Sequence, residues 1–421
     1  MSYPEAQYAV DEINAYTADK VTVDKIYEII SGNDVYGFIE HMDVLSPGSR
    51  IEYIGKNKNF SPISITMGGG YSLGDWADFP LLANNKPYMV QASGIVDYEL
   101  SSTDYTKKAD GVTASDVANT SYAGGAFSWL QKIYKKEYNI GSDRYVLFSL
   151  TPKDGFVAAG FIDDSNNELE GVWLPMFYGA EVSSKMASLS GTTPVASKTT
   201  EQEKTLIDAF GARAKFLGGP IIGTIHDLLK MWGKTTDIQA KYGYGNCNGG
   251  SQQIKANAVI GGGQFYGTGD SDKKNLNKIL HSVVLGSWQQ WQRDPYTICV
   301  NGRVKVSKNY TYSLTASGYS DTSVILPNGG WNYPNYYKSE QGFGPIPQAP
   351  FKGSTALGGC DGLYVNNGIT AVAFRFGNCA VDLIDGFGAL RLDSAATHAH
   401  WNVGASVLLL PPAGAAPYAA A

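Results

Sequence analysis

Clusters of chemically specialised residues are scarce in this sequence. It holds four cysteines, Cys247, Cys299, Cys360 and Cys379, with no CxxC pair and no Cys/His set at zinc spacing. A structural zinc site or a dithiol centre therefore has no ligands to build on. Buried thiols are the expectation, with a Cys360–Cys379 bridge as the alternative if assembly ends in an oxidising medium. Charged residues make up 17% of the chain, the formal net charge is −6, and no long Lys/Arg run occurs. Neutralising phosphates requires a clustered basic face, so nucleic acid is not an expected partner. No apolar run approaches the roughly 20 residues of a membrane span. The opening MSYPEA lacks a basic segment leading into an apolar one, so the chain is expected to be made in the cytoplasm, without membrane insertion.

What the chain has is glycine and tyrosine, 49 and 27 residues respectively in 421. Many glycines, many rings and few charges describe a loop-rich, β-containing protein that builds specificity from turns and stacked aromatics. Residues 1–34 predict an arm or attachment segment, ended by Gly32-Asn33-Asp34. Residues 35–114 predict a β-rich region of short strands around 50–54 and 63–67, with the glycines at 68–70 in a loop that lacks the lysine of a phosphate loop. Asp116-Val117-Ala118 suits the cap of a segment leading to 126–134, and strands are expected at 145–150 and 173–179. Two helices are expected at about 200–216, with Thr200 as the cap, and 220–234, with Pro220 in its first turn. Leu228, Leu229, Met231 and Trp232 form the packing stripe of the second. Residues 413–421 predict a flexible tail.

Residues 371–412, AVAFRFGNCAVDLIDGFGALRLDSAATHAHWNVGASVLLLPP, organise the rest. Alternation at 373–376, 387–392 and 401–407 predicts three short strands, with Phe374, Phe376, Leu390 and Val403 pointing into a core. The turns between them, at Gly377-Asn378 and Asp385-Gly386, are free to display recognition residues.

RFGNC, then GFGALRLDS, then HWNVGASV resembles the closing motif of the C-type-lectin-like domains of bacteriophage tail and fibre proteins. These are relatives of formylglycine-generating enzymes and of retroelement-diversified tropism determinants. KPYM at 86–89, DYTKKADG at 104–111, SDVANTSY at 115–122, KMASLSG at 185–191, MWGKTT at 231–236 and the Trp288, Trp291, Val300-Asn301-Gly302 segment are similar to blocks in virion proteins of this kind. The resemblance covers about 36–412. It implies an α+β fold with a C-type-lectin-like domain over 115–412, other virion proteins as partners, and a host surface receptor, glycan or protein. It also implies a homotrimer that raises avidity by repeating one site.

The kinship with copper-using oxidases raises an enzymatic alternative, but no motif around Cys360 or Cys379 matches that active site, and without an activated thiolate no redox work is expected. His398-Ala399-His400 would face one side of a strand and, with Asp393, could hold a metal; exposed rim residues are the plainer expectation. Asp361, Asn366 and Asn367 could meet calcium, but loop solvation explains them as well. No cofactor, metal or catalytic group is expected. Residues 329–337, GGWNYPNYY, predict a rigid aromatic loop, a composition that binding surfaces use because Tyr and Trp give large contact area at low entropy cost. Packing against a neighbouring subunit or the domain itself is the alternative. The expected ligand-binding residues are Trp331, Tyr333, Tyr336, Tyr337, Asn378, Asp382, His398 and His400. The expected function is a non-enzymatic tail or fibre component of the virion that binds the host surface, with a head-decoration or baseplate module as the alternative.

Overall fold

A computed structural model describes residues 34–249 and 253–417. The arm expected at 1–34 lies, but for Asp34, outside the described residues, as do residues 418–421 of the tail. The chain is a mixed α+β protein, mostly β, built on three main sheets.

The first sheet has four antiparallel strands in the order Ile51–Gly55, Val35–His41, Asp143–Ser149, Tyr134–Ile140. The second runs Ala214–Phe216, Val407–Leu409, Gly171–Pro175, Gly124–Gln131, Pro87–Gln91, Val96–Glu99. Both sheets mix strands from either side of residue 114, so a division there separates no sheet from another. The segment expected behind a cap at 116 is the central strand Gly124–Gln131, buried in seven of its eight positions. Such a run gives no alternation because both faces are covered.

The helix Thr200–Phe210 packs against the strand Ala214–Phe216 of the second sheet, and the helix Pro220–Gly233 against the strand Ile51–Gly55 of the first. The first is capped one residue earlier than expected. The Thr199 hydroxyl accepts from the Gln202 N–H while the Gln202 side chain accepts from the Thr199 N–H, a reciprocal capping box. Residues 214–216, expected in that helix, form an edge strand instead. Pro220 opens the second helix as expected, and the helix is buried on nearly every side. It therefore carries charge into the interior. Asp227 is met by Arg144 at 2.7 Å and Lys135 at 3.1 Å, and Lys230 by Glu40 at 3.1 Å, with Arg50 on Glu40 at 2.9 Å. All these side chains are fully buried. Losing one partner of such a pair leaves a buried charge uncompensated, so the network fixes how this helix sits on the first sheet. Among the described residues, no helix is long and apolar enough to cross a membrane.

The third, eight-stranded sheet closes the chain. Its order is Ser320–Ile325, Arg303–Val306, Trp291–Val300, Thr370–Arg375, Leu390–Leu392, Leu363–Val365, Gly329–Asn332, with Val403–Gly404 parallel to Trp291–Val300. Phe374, Phe376, Leu390 and Val403 are buried, as expected. The strand expected over 401–407 is broken in two. Val403–Gly404 joins this sheet and Val407–Leu409 joins the second, while Trp401 sits in an exposed turn.

Candidate functional site

The closing sheet is two-faced because side chains alternate along each strand. Leu363, Val365, Leu390, Leu392, Ala371 and Ala373 fill one core. The residues between them, Tyr364 and Arg391, and the next along, Phe374, project from the opposite face. There Trp291, Phe374, Ala389 and Val403 make a second small apolar cluster, with Trp331 packed against it.

Rings and charges are ordered on that second face. Trp331 lies over Trp291, centroids 6.3 Å and planes 15° apart, and meets Tyr364 edge-on at 5.3 Å. The Arg391 guanidinium stands 5.5 Å from the Trp291 ring and 5.9 Å from the Tyr364 ring. Asp393 holds it, with Nε donating to Oδ1 at 3.2 Å. Further along, Arg293 lies 5.0 Å over Phe374 and donates to the carbonyl oxygens of Lys198 and His398 at 2.9 and 3.0 Å, while its Nε is bonded to Glu203. His398 packs 5.8 Å from Phe374 and stacks on His400 at 5.9 Å, and His400 in turn lies 5.9 Å from Trp401. Burial, followed by the Arg293 and Arg391 cations, pushes His398 below the ordinary histidine value, which favours the neutral ring.

Beside Tyr364 the sheet opens into a cleft of about 400 Å³, walled by residues 328–330 on the edge strand's side and by Tyr364, Asn366 and Asp393 on the other. Gly362 keeps its neighbourhood closed. A side chain there would meet Ile384 Cγ2 at 2.3 Å and Trp331 Cε3 at 2.9 Å.

The expected site residues divide. Trp331, His398 and His400 come together on this face. The stretch 329–337 is not one loop: it is a strand, Gly329–Asn332, a turn through Pro334 and Asn335, and a second strand, Tyr336–Glu340. Pro334 and Asn335 are buried, and Arg50 donates to the Asn335 carbonyl. The turn sends the remaining tyrosines elsewhere. Tyr333 is half-buried, and its carbonyl accepts from the Gly353 N–H at 3.0 Å. Tyr336 is half-buried and donates to Asp43. Tyr337 is buried beneath Lys230, whose Nζ lies 4.7 Å from the ring. Asn378, expected on a display turn, is also buried, its N–H donating to Asp385 Oδ2 at 2.9 Å. Asp382 is half-exposed and paired with Lys273 at 2.8 Å.

His398 and His400 share a side, though outside any strand, but the third group considered with them, Asp393, is engaged by Arg391. Among the described residues, no group of three His, Cys, Asp or Glu could hold a metal. All four cysteines are buried thiols, and no disulfide joins Cys360 to Cys379. Burial pushes Cys299 and Cys379 up to about 11 and raises Cys247 and Cys360 further, which disfavours the nucleophilic thiolate.

Residues that the sequence did not single out, Asn328, Tyr364 and Arg391, complete the face. The alternations Leu363-Tyr364-Val365 and Leu390-Arg391-Leu392 carried that signal, since in each the middle residue must oppose two core positions. No protein-family model and no curated protein sequence matches the chain.

Proposed function

We propose that this protein is a non-enzymatic bacteriophage virion component of the tail or fibre, which binds the host cell surface through the second face of its closing sheet. In this proposal the chain carries a C-type-lectin-like fold and works as a homotrimer docked to other virion proteins. The main support is the gathering of Trp331, Tyr364, Arg391, Asp393, His398 and His400 on one accessible face by strands far apart in sequence. Aromatic and arginine side chains at the centre of a patch supply most of the energy of recognition. The motifs at 371–412 supply the family.

Purified protein should compete with particles for adsorption to host cells, and Tyr364→Ala, folded and incorporated, should not. Equal competition by the variant would defeat the proposal. Light scattering at micromolar concentration should give the mass of a trimer.

A structural role in the head or baseplate is favoured by one feature, the outer strand Ser320–Ile325. It ends the eight-stranded sheet, and Ile325 is 61% exposed. An unpaired edge with an apolar side chain is a ready contact for another chain. Binding to particles but not to cells would select that role.

A further inference from the structure

We infer that the cleft beside Tyr364 takes a neutral pyranose ring of a surface glycan; this rests on the host-binding role proposed above. Its volume, about 400 Å³, falls in the range of roughly 300–1,000 Å³ typical of small-ligand sites. Charge decides the class of ligand. Asp393 is the one ionisable carboxylate or cation in its wall, and Arg391 already compensates it. An anionic sugar would meet a carboxylate with no free cation, and a cationic ligand would have to compete with a guanidinium held over two rings.

The hydrogen-bonding groups that remain suit hydroxyls. Asn328 Oδ1 accepts from the Asn367 N–H and Asn366 Oδ1 from the Gly368 N–H, each at 3.0 Å. Both amide NH2 groups are left without a protein partner among the described residues, and so is the Tyr364 hydroxyl. Two amide donors, a phenol that donates or accepts, and the Asp393 oxygens as acceptors offer what a polyhydroxyl ring offers in return. The apolar need is met by the Tyr364 ring, which carries a negative π-face to which the C–H face of a pyranose presents its positive edge. That ring is held in place by Trp331 edge-on and by Arg391, whose guanidinium lies over it 5.9 Å from its centroid, which leaves the opposite face for the ligand. Gly330 on the edge strand stands close by, since an added Cβ there would be in van der Waals contact with the Tyr364 ring at 3.9 Å, so it marks the wall of the cleft and the ligand lies beside it, over Asn328, Asn366 and Asp393.

The test is saturation-transfer NMR on the full chain with methyl glucoside, methyl galactoside, N-acetylglucosamine and methyl glucuronide as probes. At least one neutral pyranoside should bind saturably, and the glucuronide should bind at least tenfold more weakly. Tyr364→Ala and, as a variant that spares the aromatic packing, Asn366→Ala should each weaken the neutral probe at least tenfold with unchanged circular dichroism. Silence from every neutral probe, preference for the glucuronide, or unaltered binding by folded Asn366→Ala overturns the inference. Cell adsorption separates the two claims. Adsorption that requires Tyr364 but survives periodate treatment of the cells, and fails after protease treatment, overturns the glycan and retains host binding. Pyranoside binding without adsorption retains the glycan site and defeats the receptor role.

Discussion

Trp331 lies nearly parallel over Trp291 and closes it off from solvent, since Trp291 is fully buried while Trp331 is half-exposed. Trp331→Ala should therefore uncover Trp291 and shift the tryptophan emission to the red. The loss of the ring pair should destabilise the chain by about 1–2 kcal/mol. An unshifted spectrum would mean that Trp331 does not cover its partner in solution.

Tyr336 and Tyr337 are neighbours with opposite duties. Tyr337→Ala removes a buried ring beneath Lys230 and should destabilise the fold by about 3 kcal/mol or more. Tyr336→Ala loses a hydrogen bond to Asp43 at the surface, and should change stability by less than about 1 kcal/mol. Urea midpoints of the two variants check this directly, and equal midpoints would contradict the burial difference.

Stability should fall as the pH rises above the ordinary aspartate range. Burial holds Asp361 and Asp385 well above that range, more than the N–H groups of Gly388 and Asn378 lower them. The folded chain therefore keeps protons that the unfolded chain has released, and this contribution is lost from about pH 4 upward, through the raised folded values. Asp385→Asn keeps the acceptor for the Asn378 N–H and removes the ionisation. It should reduce the difference in unfolding free energy between pH 5 and pH 8 by on the order of 1 kcal/mol or more. A slope equal to that of the unsubstituted chain would refute it. Glu40 acts in a separate window: Lys230, Arg50 and Arg144 outweigh its burial and hold it at about 2, so its contribution is lost only as the pH falls from about 4.5 toward that value.

The buried thiols should resist alkylation. In the native chain the four cysteines should react with iodoacetamide far more slowly than in guanidinium, where all four become accessible. Rapid native labelling of Cys360 or Cys379 would reopen the thiol chemistry that the sequence already disfavours.

The second helix and the core faces at Phe374 and Leu390 are legible in the sequence, because they depend on local spacing. Pro220 and the stripe Leu228, Leu229, Met231, Trp232 lie where the sequence puts them, and Phe374 and Leu390 enter the core on the alternation that predicted it. Direction across a turn is not local. Residues 329–337 read as one aromatic loop because nothing in GGWNYPNYY says that Arg50, nearly three hundred residues earlier, pins the Asn335 carbonyl. Trp331 and Tyr337 then fall in strands of different sheets. Tyr364 is hard to read from the sequence for another reason: a three-residue strand is too short for its alternation to stand out. The boundary expected near residue 114 shows the same limit, since pairing of Pro87–Gln91 with Gly124–Gln131 is set by partners and not by composition.

The strand Val407–Leu409 lies between Ala214–Phe216 and Gly171–Pro175, and this placement constrains the order of events during synthesis. Until residues 407–409 have been made, the edge strand Ala214–Phe216 has no neighbour through which to join the second sheet, so that edge cannot mature with the helices that flank it in sequence. Nascent chains halted before residue 407 should remain open to protease around the strand Ala214–Phe216, where a chain that includes residues 407–409 is resistant. Resistance of the halted chain would show that the early strands close without the late one. A chain that stops before residue 407 should thus yield material cleared by proteolysis instead of a stable folded fragment.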